Sequence, residues 1–199
     1  MGDGFQRRRG GGAVATLTGL EADLLRSLAS QLVELLRNER AAPTVSDDPL
    51  EQLLDFTGPT TEPEDPVLAR LFPNAYADDQ EAAGEFRRFT EGTLREGKAG
   101  AAVAVIDALE EAGLPTELAE DGLVLDIELD AAAALTWLKS FTDIRLALAT
   151  RLEVTEGDED FWDSMRDDDP RTHVYAIYQW VGYLQETLVA ALSRARRSR

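Results

Sequence analysis

Asp143 and Arg145 raise the first chemical question, because they interrupt a segment, Ala131 to Leu152, whose other residues suit burial. Counting about 100° per residue places Arg145 beside Leu138, Phe141 and Leu148 on an apolar face. The same count puts Asp143 on the opposite side, one turn from Lys139. A guanidinium alone among apolar groups is strongly unfavourable, so Arg145 requires a partner, and Glu186 or Gln185 near the C-terminus can supply one. As structure, that contact fixes helix register; as function, it is an anion site. The structural reading is the plainer of the two.

The other reactive side chains form no recognisable catalytic set. His173 is the only histidine, so no two-histidine metal site exists, and its place in the first turn of the last helix suits a surface position better than a general base. Carboxylates are dense in Glu156-Gly157-Asp158-Glu159-Asp160, but the glycine stands at the wrong position for a calcium loop, which leaves a solvated acidic loop. No nucleophile elbow, zinc-protease pair, phosphate loop or dinucleotide fingerprint is present. No residue is therefore assigned to catalysis, to a cofactor or to a metal. Phe161, Trp162, Trp180 and Tyr183 gather around the last helix and form a candidate partner surface, since aromatics are enriched in protein contacts. Packing in the core or on its flank is the plainer reading for them.

Composition narrows the classes further. The 199 residues include no cysteine, which excludes disulfides, thiol catalysis, thiol redox switching and Cys-ligated zinc. The formal charge is −18, and the basic residues crowd the ends at Arg7 to Arg9 and in the tail 194–199. Between residues 10 and 193 there are 13 basic against 37 acidic residues, about −24, a body that phosphate backbones repel and basic partners attract. Direct nucleic-acid binding is not expected. No apolar run reaches the ~18 residues of a membrane span and no signal peptide is evident, so the expected location is the cytoplasm.

The elements that must position these residues read as one domain over 1–199, with acidic loops at about 41–66 and 153–169. Phe5 to Arg9 and Ala13 to Leu17, joined by Gly10-Gly11-Gly12, predict an N-terminal hairpin lying at a sheet edge. Thr18 and Glu21 fit a capping box before a leucine-rich amphipathic helix that runs to about Glu39 and includes Leu20. A short helix is predicted over Pro49 to Asp55, and another over Val67 to Phe72. Asp78 and Asp79 precede a long helical pattern to Gly113, which the glycines at 97 and 100 leave readable as one kinked helix or two. Alternation at Leu123, Leu125 and Ile127 predicts a strand near 123–128 that joins the hairpin. Ala131–Leu152 is the expected central helix, and the last helix runs from Asp169-Pro170 to about Arg194. The fold class is mainly α (α+β): five or six helices around a central helix, with a small antiparallel sheet.

Two stretches add kinship. WLKSFTDIRLALATRLEV, Trp137 to Val154, and YAIYQWVGYLQETLVAAL, Tyr175 to Leu192, resemble the signature segments of an actinobacterial domain-of-unknown-function family, the AosR oxidative stress regulators. The N-terminal plan agrees: a basic strand, a glycine turn, a Thr-capped leucine-rich helix and the FRR segment Phe86 to Arg88. The resemblance implies a cytoplasmic regulator, not an enzyme, acting through protein contacts with a sigma factor as the suggested partner. The competing readings are a small-molecule or anion-binding domain centred on Arg145, and a homo-oligomer, in its simplest form a homodimer, joined through the last helix.

Overall fold

The computed structural model describes residues 3–9, 11–38, 58–117, 122–166 and 168–193. Among them are six helices and one three-stranded sheet, the predicted class. The predicted helix over Pro49 to Asp55 and most of the loop 41–66 lie outside the described residues.

Strands β1 (Gln6–Arg7), β2 (Ala13–Thr18) and β3 (Val124–Leu129) pair antiparallel in that order, so the two-residue β1 is an edge. The register opposes Ala13 to Leu129, Ala15 to Ile127 and Leu17 to Leu125, all buried. The alternate positions face water, where Thr16 Oγ1 donates to Asp126 Oδ1 at 2.8 Å and Arg8 pairs with Glu128 at 2.7 Å. Strand β1 is shorter than predicted because Arg8 already turns: its N–H donates to the Gly12 carbonyl, and its own carbonyl accepts from Gly11. Gly12 is required there, since its φ is 84° and a Cβ would lie 2.0 Å from the Leu129 carbonyl oxygen.

Helix α1 (Gly19–Asn38) starts with the predicted capping box: Glu21 N–H donates to Thr18 Oγ1, and Thr18 N–H donates to Glu21 Oε2 at 2.9 Å. Its buried stripe contains Leu25, Leu32, Val33 and Leu36, whereas Leu20, in the first turn and ahead of the packing partners, is exposed. Helix α2 (Pro66–Leu71) is capped by Asp65, whose carboxylate accepts from the N–H groups of Val67 and Leu68, with Pro66 supplying a helical φ.

Helix α3 (Gln80–Glu111) is one uninterrupted helix of 32 residues, capped by Asp79. The glycines at 92, 97 and 100 do not break it. Its packing against α1 and α4 outweighs their intrinsic cost of about 1 kcal/mol each. Helix α4 (Ala131–Leu152) is the predicted central element: α1, α2, α3, the last helix and β3 all pack on it, and Trp137, Phe141 and Ile144 are buried against them. A short helix, α5 (Glu159–Asp163), occupies the stretch expected to be an acidic loop. Helix α6 (Pro170–Ser193) closes the bundle on α4. The chain start seals this seam: Gly4 N–H donates to Tyr183 Oη at 3.1 Å, Phe5 N–H donates to Thr187 Oγ1 at 3.0 Å, and the Phe5 ring stands edge-on to Trp137. No helix among the described residues is long and apolar enough to cross a membrane.

Candidate functional site

Helices α4 and α6 bring the predicted polar group together at Arg145. Its side chain is half-buried, and Nη1 donates to Gln185 Oε1 at 2.9 Å. The guanidinium carbon stands 5.1 Å over the Tyr178 ring, and a Cβ added at Gly182 would come within 3.3 Å of it, so the absent side chain at that position makes its seat. Gln185 in turn donates to Thr142 Oγ1 at 2.7 Å, which fixes the amide orientation. Glu186 points to solvent and forms no ion pair with Arg145, because it lies one residue, about 100°, further round the helix. Among the described residues Arg145 has no carboxylate partner; its charge rests on an amide oxygen and an aromatic face.

The aromatic set divides. Phe161 and Tyr183 are exposed, but Trp162 and Trp180 are buried, so the candidate partner surface loses its two tryptophans, which take the core reading instead. Trp162 lies on the Tyr175 ring at 4.5 Å, nearly parallel, and Tyr175 continues to Tyr178, so α5 is fastened to α6 by a row of rings ending at Arg145. Trp180 belongs to the core cluster. The hydroxyl of Tyr183 is already engaged by Gly4.

The buried charges lie elsewhere, in a row along α3. Glu91 accepts from Arg87 through Oε2 and from Arg95 through Oε1, both at 2.6 Å, with all three residues buried. The other terminal nitrogens of the two guanidinium groups reach helix ends: Arg87 Nη2 donates to the Phe72 carbonyl at 2.9 Å beyond α2, and Arg95 Nη1 donates to the Leu36 carbonyl at 3.1 Å near the end of α1. Phe72 also lies under Arg95, 4.8 Å from ring centre to guanidinium. One turn on, Lys98 pairs with Asp143 of α4. Asp143 thus lies on the side of α4 opposite Arg145, as the helical count places it, and it is buried because α3 covers that side. The spacing Arg87, Glu91, Arg95 at i, i+4, i+8 was a visible signal for this network, since such residues stack on one helix face.

The acidic stretch is used locally. Asp158 accepts from Thr155 N–H at 2.7 Å, and this bond leads the effects that hold its carboxyl below the ordinary value. Asp169 is lowered to about 2, first by the Arg171 side chain and then by the Arg171 backbone N–H. Arg166 grips Asp168 through two nitrogens in the same way. Among the described residues no group of three or more His, Asp or Glu is placed to hold a metal ion, and His173 is exposed.

A cleft of about 430 Å³ opens between α1, α2 and α4, lined by the buried Leu32, Val67 and Ile144 and by the exposed Gln31, Glu34 and Arg151. Arg151 is tied to Asp65 at its edge. These polar groups thus hold helices to one another.

The family described as Domain of unknown function (DUF2017) matches residues 2–192. The chain is 33% identical over 189 residues to an AosR protein of Mycobacterium leprae, covering 86% of this chain and 78% of that one. It is 31% identical over 197 residues to the oxidative stress regulators AosR of Mycobacterium bovis and of Mycobacterium tuberculosis strain H37Rv, with 92% of this chain and 83% of each relative covered. No solved structure matches significantly.

Proposed function

Because the chain belongs to the DUF2017 family, we propose that it is a non-enzymatic cytoplasmic regulator of the oxidative-stress response, working as a single domain that binds a transcription or stress-response protein such as a sigma factor. Similarity to proteins named oxidative stress regulators, extending over most of the chain, carries this reading. The acidic body supports it, because about −24 between residues 10 and 193 suits docking on a basic, DNA-facing surface. With no cysteine, this chain receives a redox signal through its partner and not through a thiol of its own. Co-purification of the tagged full chain from its native host, with bound proteins identified by mass spectrometry and re-tested as purified pairs, checks it. A transcription protein binding with micromolar or tighter affinity is the expected result; recovery of none would sink the proposal.

A second reading draws on Arg145. A half-buried guanidinium with no carboxylate partner among the described residues, in a chain holding 38 acidic residues, offers a seat for a small anion. A thermal-shift screen with metabolites and inorganic anions decides this, and no shift above about 1 °C from any of them removes it.

A further inference from the structure

The exposed side of α3 carries a row of residues that no described helix or strand covers. Phe86, Thr90, Thr93, Gly97, Gly100 and Ala104 follow one another in steps of four and three, the spacing of a seam that faces a second helix. The row lies opposite the buried Arg95 and Ala102 side. At one end Phe86 is 45% exposed and stands edge-on to Tyr76, itself 50% exposed; Leu94 beside the row is 51% exposed. Further along, a Cβ at Gly97 or Gly100 would meet nothing within 4 Å, and neither glycine has a positive φ. Nothing among the described residues therefore requires glycine at these two places in a long helix, where it is among the least favourable residues. Small residues on an exposed seam let another backbone approach closely.

Charge selects the occupant. Glu85, Glu96, Asp107 and Glu110 run along one flank of the row, all exposed and none in an ion pair among the described residues. The row carries no cation of its own. A second copy would bring another such flank, and another body of about −24, against the first. From this we infer that the Phe86 to Ala104 face of α3 is a docking surface for a basic amphipathic helix of a partner protein: its apolar stripe lies over Phe86 and the glycines, and its lysines or arginines face the four carboxylates. The inference rests on the protein-binding role proposed above and locates it.

The test uses the full chain and a fluorescent 18-residue helical peptide of leucine and lysine in amphipathic order, with a scrambled peptide of the same composition as control. Anisotropy at physiological salt should show the ordered peptide binding at least tenfold more tightly than the scrambled one. The double substitution Gly97→Gln, Gly100→Gln leaves the charge unchanged and favours helix, so its melting temperature should hold or rise while ordered-peptide affinity falls at least tenfold. Phe86→Ser should weaken binding in the same direction, and Ala190→Gln on α6 should not. Equal binding of the two peptides, or full binding by the double variant, overturns the inference in favour of unspecific charge attraction. Light scattering that shows a dimer which the double variant converts to monomer overturns it in favour of a second copy. A native partner that binds the double variant as tightly as the parent removes this surface but leaves the regulatory proposal standing. Stripe-dependent peptide binding with no transcription partner in the host does the reverse.

Discussion

Lys98 Nζ lies 2.6 Å from Asp143 Oδ1, an ion pair that joins α3 to α4 across 45 positions of sequence. Its two ends are unequal: the Asp143 side chain is 6% exposed and that of Lys98 is 24% exposed. Lys98→Ala strands a carboxylate that cannot reach water and should cost about 3 kcal/mol. Asp143→Ala leaves an ammonium that can swing out to solvent and should cost only about 1 to 2 kcal/mol. Urea denaturation of both variants checks the order, and a larger loss for Asp143→Ala would refute this account.

Glu91 answers two buried guanidinium groups at once. Glu91→Gln leaves Arg87 and Arg95 facing a neutral amide within one buried row, and the expected loss is about 3 to 5 kcal/mol. For a chain of this size that corresponds to roughly 10 °C in Tm, readable by calorimetry.

Arg145 should behave differently because no carboxylate among the described residues depends on it. Arg145→Met keeps the apolar stem against Tyr178 and Gly182, and Gln185 retains its bond to Thr142. A change within about 1 kcal/mol is expected. A loss near that of Glu91→Gln would show that the guanidinium holds more of the α4–α6 seam than its contacts indicate.

Asp65 links pH to the start of α2. Burial alone would raise its carboxyl, but the Arg151 side chain and the N–H groups of Leu68 and Val67 outweigh burial and hold it below the ordinary value. A folded pKa below the unfolded value of about 3.9 contributes stability that is complete above that pH and is lost as the pH falls through the folded pKa. Asp65→Asn keeps an N-cap acceptor while deleting the ion pair, so its loss at neutral pH should stay within about 1 kcal/mol. The gap to the parent should narrow as the pH falls below about 4. Unfolding free energies at pH 7 and pH 3 test both parts, and a gap as wide at pH 3 as at pH 7 would contradict them.

Much of the fold was legible because the signals are local. Thr18 and Glu21 cap a helix through atoms three residues apart, Asp65-Pro66 starts one in the same way, and the alternation at Leu125 and Ile127 follows from the pleat. The short helix α5 was hidden by its carboxylates: Phe161 and Trp162 read as interruptions of a loop, although Trp162 becomes its anchor only once Tyr175 arrives from α6. The polar site was half legible. Gln185 was within reach of Arg145 by helix geometry, but the choice between it and Glu186 depended on the rotation of α6, which Gly182 and the Tyr178 ring set.

By itself, then, the sequence determined every described helix except α5, the three short strands, the acidic body, the absence of thiol chemistry and the kinship. These follow from contacts a few residues long or from composition. Only the tertiary structure decided which charges are buried. Asp143 is covered because α3 lies over that side of α4, and Trp180 is covered because α6 turns it into the core. Helical periodicity gives the angle of each side chain about its own axis; burial depends on which neighbour fills that angle, and long-range packing sets it.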